Sequence, residues 1–169
     1  MLSRSSTEPS VTYTHIHDDM RALAHVDGGI VKAEIEIAAS PDRVFRSLTD
    51  PSELGAWWGS DDMYRTYDWQ VDLREGGSWS ARARTPDGTE MTLDGIYIEI
   101  DPPRRLVYTW RPSWDEFAET TVRFELHPTA AGTRVLVTHT GFGDREMAAE
   151  GTGEGWKRVL EWLGAHVTG

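Results

Sequence analysis

The stretch Ile30-Val-Lys-Ala-Glu-Ile-Glu-Ile-Ala-Ala-Ser-Pro-Asp-Arg-Val-Phe-Arg-Ser-Leu-Thr-Asp-Pro51 changes its period halfway along. Val31, Ala33, Ile35 and Ile37 alternate with Lys32, Glu34 and Glu36, the pattern of a half-buried strand. Ser40 then offers an N-cap hydroxyl and Pro41 suits the first helical position, so a short helix begins where the alternation stops. Val44, Phe45 and Leu48 form its apolar stripe. Asp50-Pro51 ends that helix and opens a second one running through Leu54, Trp57 and Trp58.

Outward from this stretch the chain reads as strands closed by a helix. Tyr67–Leu73, Ser78–Arg84, Met91–Ile100, Leu106–Arg111, Thr121–His127 and Thr133–Thr140 read as strands. Glu75-Gly76-Gly77, Pro86-Asp87-Gly88 and Asp101-Pro102-Pro103 punctuate them. From Asp144 to Val167 the pattern is helical, with Trp156, Leu160, Leu163 and Val167 on one face. The expected class is α+β: a curved antiparallel sheet of about seven strands wrapped on a long C-terminal helix. Gly76, Gly77 and Gly95 would help the sheet to bend, Gly95 as a bulge or sharp turn. The two short helices would form a lid over the space at the sheet's mouth. Residues 1–28 lack a clear period and are expected to be an extension, partly disordered, before a domain spanning 29–169.

Composition narrows the function classes. The 169 residues carry no cysteine, which excludes disulfides, thiolate catalysis and cysteine-bound zinc. Net charge is −11, so a nucleic-acid partner is not expected. No apolar run approaches the roughly 18 residues of a membrane span, and no secretory h-region is visible, so a cytoplasmic location is expected. Eight tryptophans are many for this length and suit an aromatic-lined pocket as well as a core. Composition does not decide whether the chain forms a homodimer.

Several motifs, in order, resemble a known group. They are Ser40-Pro-Asp-Arg-Val-Phe45, Leu48-Thr-Asp-Pro51, Trp57-Trp-Gly59, Asp72-Leu-Arg-Glu-Gly-Gly77, Pro86-Asp-Gly88 and Asp101-Pro-Pro-Arg-Arg-Leu-Val-Tyr-Thr-Trp110. Gly132-Thr-Arg134, Thr138-His-Thr-Gly-Phe142 and Gly155-Trp156 complete the set. Together they resemble the START-like helix-grip (SRPBCC) superfamily, in the AHSA-like branch related to the C-terminal domain of Aha-type activators of a heat-shock chaperone ATPase. The resemblance implies a cavity between sheet and helix. It implies binding of a lipid-, polyketide- or antibiotic-like molecule, with a cyclase or dehydratase activity or a co-chaperone-like adaptor role as alternatives. Fold alone does not choose among these.

The residues expected to touch such a ligand are Trp58, Trp69, Trp79, Ala81, Ala83, Met91, Tyr108, Trp110, Phe124, His139, Trp156 and Leu160. Strand parity puts many of them on inward faces, and small Ala81 and Ala83 would widen the space. His139 reads as a structural histidine in preference to a general acid or base, because no carboxylate orienter can be assigned to it. His15, His17, His25, Asp18 and Asp19 are metal-compatible types without a third ligand at firm spacing, so neither metal nor cofactor is expected. Gly151-Thr-Gly-Glu-Gly155 has the wrong spacing for a phosphate loop and reads as a way to keep the first half of the closing helix thin, leaving room for a ligand or a kink. The acidic groups, such as Glu146-Glu150-Glu154, read as solvated surface. The tryptophans are expected to spread over core and pocket, not to gather in one cluster.

Overall fold

The computed structural model describes residues 21–169. The strands are β1 (Leu23–Asp27), β2 (Ile30–Ile37), β3 (Gly59–Ser60), β4 (Tyr64–Val71), β5 (Ser78–Arg84), β6 (Glu90–Asp101), β7 (Arg105–Pro112), β8 (Thr120–Pro128) and β9 (Thr133–Thr140). The helices are α1 (Pro41–Thr49), α2 (Pro51–Trp57) and α3 (Glu146–Thr168), with a 3-10 turn at Ser113–Asp115. All nine strands form one antiparallel sheet in the order β1-β2-β9-β8-β7-β6-β5-β4-β3, with α3 packed on it.

The α+β helix-grip expectation is met, with nine strands in place of about seven. The additions are β1 and β3. β1 lies inside the stretch read as an extension. It pairs with β2 from Leu23↔Glu34 to Asp27↔Ile30, and the turn between them is Gly28-Gly29 with both φ positive. His25, opposite Lys32, is exposed on this edge strand, whereas His15, His17, Asp18 and Asp19 lie outside the described residues.

The caps behave as their residue types dictate. Ser40 Oγ accepts from Arg43 N at 3.2 Å and Asp50 Oδ1 accepts from Ser52 N at 2.9 Å, with a proline in the first turn of each helix. Glu53 ties three helices together. It accepts from Arg43 at 2.8 Å and Ser47 at 2.8 Å on α1, and pairs with His166 at 3.0 Å near the end of α3. Burial pushes its carboxyl up, but the Arg43, His166 and Ser47 hydrogen bonds outweigh that and hold it at about 2.

The sheet bends at two irregular points. The β4–β5 register shifts between Tyr67 and Gln70, where Asp68 has φ +55°, and the β6–β7 register shifts between Tyr97 and Glu99. Gly95 serves a different purpose from the expected bulge. A Cβ there would lie 1.8 Å from the Thr109 carbonyl oxygen, so glycine lets β6 press directly on β7. The strand expected to reach Leu73 stops at Val71, and Leu73 is exposed. Behind the sheet's concave face, Ile35, Leu106, Phe124, Leu126, Leu160 and Leu163 are fully buried.

Candidate functional site

A cavity of about 620 Å³ opens between the sheet and the first half of α3. On the helix it is bordered by Met147, Ala148, Gly151, Thr152, Gly155, Arg158 and Val159. Steps of three and four put these residues on one helical face. The sheet contributes Ala83, Met91, Leu93, Trp110 and Thr120, and the loops contribute Trp58, Met63, Trp114, Asp115 and Phe142. Volume and lining fall in the range of small-molecule sites: mostly apolar walls with a few polar groups.

The helix keeps this space open by what it lacks. A Cβ built on Gly151 or Gly155 meets nothing within 4 Å. Gly153, between them, faces the other way, and its Cβ would sit 3.2 Å from Val26 Cγ2 on β1. The glycine-rich segment is thin on both sides: toward the cavity at 151 and 155, and toward the sheet edge at 153.

Of the residues expected at the ligand, Trp58, Ala83, Met91, Trp110 and Trp156 border the cavity. Trp69, Trp79, Ala81, Tyr108, Phe124, His139 and Leu160 do not. Strand parity placed six of these on the inward side and helical spacing placed Leu160 there, but inward is not the same as cavity-facing. Trp79 stacks on Trp69 at 5.9 Å and donates to the Thr109 carbonyl at 3.2 Å. Tyr108 packs edge-on against Trp79 at 5.2 Å, and Phe124 edge-on against Trp156 at 5.6 Å. Trp69 is spent on a bond to Thr66 Oγ1 at 3.0 Å. Leu160 is fully buried in the core, and Ala81 is buried behind the wall.

The tryptophans gather where a spread was expected. Trp57, Trp58, Trp69, Trp79, Trp110 and Trp156 form one connected set, with neighbouring ring centroids 5.2–6.0 Å apart. Trp58, Trp110 and Trp156 are its cavity-facing layer. Trp114 stands apart at the mouth, and Trp162 packs edge-on against Tyr64 at 5.6 Å. The short helices are not the lid that was expected. Neither α1 nor α2 contributes a lining residue, and both sit toward the far end of α3, where Glu53 meets His166. Trp114, Asp115, Met63 and Met147 edge the opening instead.

His139 lies directly behind the wall and is wholly inaccessible. The Trp156 indole N–H, which can only donate, reaches its Nδ1 at 3.0 Å. Nδ1 therefore accepts, the proton resides on Nε2, and Nε2–H donates to Thr120 Oγ1 at 2.7 Å. The Thr120 hydroxyl in turn donates a hydrogen bond to the Trp110 carbonyl oxygen at 3.4 Å. Burial pushes the imidazole down from 6.5 to about 3. This is a neutral histidine with both nitrogens engaged, and it orients two tryptophans of the wall. Its partners are a tryptophan and a threonine, and no carboxylate orients it among the described residues.

Sequence reasoning missed Tyr64, Trp114, Thr120, Phe142 and Arg158 as lining residues, whereas it read Gly151 and Gly155 as leaving room for a ligand. The helical face through Met147, Gly151, Gly155 and Arg158 was a readable signal. The turn carrying Trp114 has no period to read.

A nine-stranded sheet gripping a long helix around an apolar cavity defines a helix-grip domain of the START-like (SRPBCC) kind. Residues 38–168 match the family model described as "Activator of Hsp90 ATPase homolog 1-like protein", and the chain belongs to that family. A solved protein of Chromobacterium violaceum is similar at 25% identity and TM-score 0.75, over 83% of this chain and 99% of its own. A Nitrosomonas europaea protein is similar at 27% identity and TM-score 0.72, over 85% and 97%. The AHSA1 protein of Silicibacter pomeroyi is similar at 26% identity and TM-score 0.70, over 82% and 97%. No curated protein matches the chain.

Proposed function

We propose that the protein binds a hydrophobic or aromatic small molecule in this cavity, for carriage, sensing or sequestration, and does not transform it. The observation that carries the reading is the pair of glycines at 151 and 155. Each interior glycine weakens a helix by about 1 kcal/mol relative to alanine, yet these two face open space where alanine would fit without contact. Space maintained against helix stability is what a ligand site requires. The three-tryptophan wall supports a flat or bulky apolar guest.

Against an enzyme stands His139, the inward imidazole most suited to acid-base work. It is screened from the cavity and committed to Trp156 and Thr120. An adaptor role draws on the family's printed name and on the exposed Trp114 and Met147 at the mouth. Those side chains also border the cavity, and a ligand entrance accounts for them.

Native mass spectrometry of the untreated protein should show a co-purifying small molecule, and titration with that molecule should quench tryptophan emission. Gly155→Leu should fill the space and abolish both effects while the protein stays folded. Unchanged mass and emission across a broad apolar library would overturn the reading.

A further inference from the structure

Two hydrogen-bond donors border the cavity without an acceptor of their own among the described residues. Arg158 projects from α3 and Tyr64 from the start of β4. Burial pushes the Tyr64 phenol up, and a side-chain hydrogen bond with Trp58 and the Arg158 charge oppose that. Arg158 makes no ion pair among the described residues, although Glu154 and Glu161 share its helix and Asp115 borders the same cavity. Those carboxylates, and two in the loop before Tyr64, are engaged elsewhere. Glu154, one turn before, holds Lys157 at 3.2 Å. Glu161, one turn after, accepts from Ala22 N at 3.0 Å. Asp115, which borders the same cavity, is held by Arg145 at 2.7 Å. Asp61 pairs with Arg65 at 2.9 Å, and Asp62 accepts from Ser60 Oγ at 2.8 Å. The Tyr64 hydroxyl likewise donates to no acceptor among the described residues.

In a protein of net charge −11, an arginine with no carboxylate partner among the described residues, beside an apolar cavity, stands out. While the cavity is open, water solvates it. A neutral guest filling the space would strip part of that water and return no acceptor, which is unfavourable for a guanidinium. A guest with its own anion would exchange water for charge-assisted bonds, and a planar guanidinium suits a carboxylate or sulfonate. We infer that the cavity selects an amphipathic monoanion, its apolar body against Trp58, Trp110 and Trp156 and its anionic group at the rim on Arg158 and Tyr64. This rests on the ligand-binding reading above and specifies the chemical class of that ligand.

The test compares two probes with the same kind of aromatic body: 8-anilinonaphthalene-1-sulfonate, an anion, and N-phenyl-1-naphthylamine, which is neutral. The intact protein should bind the anion at least tenfold more tightly. Arg158→Gln should weaken the anion at least tenfold and leave the neutral probe within twofold. Arg158→Lys should recover part of the loss, and Tyr64→Phe should weaken the anion a few-fold only. Gly155→Leu should block both probes, which places them in the cavity and not on the surface. If both probes bind, both are blocked by Gly155→Leu, and Arg158→Gln leaves the anion unchanged, the anionic assignment is wrong and the cavity reading survives. If neither probe binds, or Gly155→Leu changes nothing, both fall together.

Discussion

The two halves of α3 lie against the same sheet and do opposite things. From Trp156 onward, Leu160 and Leu163 plug into the concave face and are fully buried. Before Trp156, the helix presents Gly151, Thr152 and Gly155 to open space. A packed interior tolerates few voids, so the contrast is a division of labour: one half holds the fold and the other shapes a vacancy. Trp156 is the hinge of that division, with one side of its ring on the cavity and its indole N–H on His139.

The largest effect should come from the filled half. Leu163→Ala should cost roughly 2–5 kcal/mol in urea unfolding, the range for a large-to-small change at a fully buried leucine. A loss below about 1 kcal/mol would mean that this half is as loosely packed as the other.

Acid should reach the boundary between the halves next. His139 has its folded pKa lowered from 6.5 to about 3, so the folded state resists a proton that the unfolded chain accepts. The contribution is therefore complete above pH 6.5 and lost as pH falls from there toward 3. Stability should drop by about 2 kcal/mol between pH 7 and pH 5, at about 1.4 kcal/mol per pH unit below the unfolded value. His139→Leu should flatten that slope whatever it does to stability at pH 7. A slope that persists in the variant would assign the titration to another group.

The smallest effect has the opposite sign and sits in the open half. Gly151→Ala and Gly155→Ala should each stabilise the protein by about 1 kcal/mol, because neither methyl meets anything within 4 Å. Gly153→Ala should gain less, since its methyl must displace Val26 from 3.2 Å. Equal gains at all three positions would erase the distinction between the cavity side and the sheet side of the helix.

The filled half was legible in the sequence and much of the open half was not. Trp156, Leu160, Leu163 and Val167 announce themselves by helical spacing, as Val31 to Ile37 do by alternation. Periodicity reports which residues face inward, and so it found Trp58, Ala83, Met91, Trp110 and Trp156 together with Trp79, Tyr108 and Phe124. It cannot separate a residue at a cavity from one packed behind it, because that depends on which neighbour arrives first across the sheet. Trp69 was claimed by Thr66, and His139 by Trp156 and Thr120. β1 was missed because its outward Leu23 and short length carry little pattern before the Gly28-Gly29 turn pairs it with β2. Arg158 was overlooked because its meaning lies in the counter-charge it lacks, which no spacing records.

The indole assembly has a consequence in optics. With ring centroids 5.2–6.0 Å apart from Trp57 through Trp79, Trp110 and Trp156, light absorbed by any of these six rings can migrate among all of them before it is emitted. The assembly is a small antenna, and three of its rings, Trp58, Trp110 and Trp156, line the cavity. A guest that quenches one of those three drains the excitation of the buried ones as well. If the cavity takes up a guest as proposed, the assembly would report its occupancy in ultraviolet light without any label.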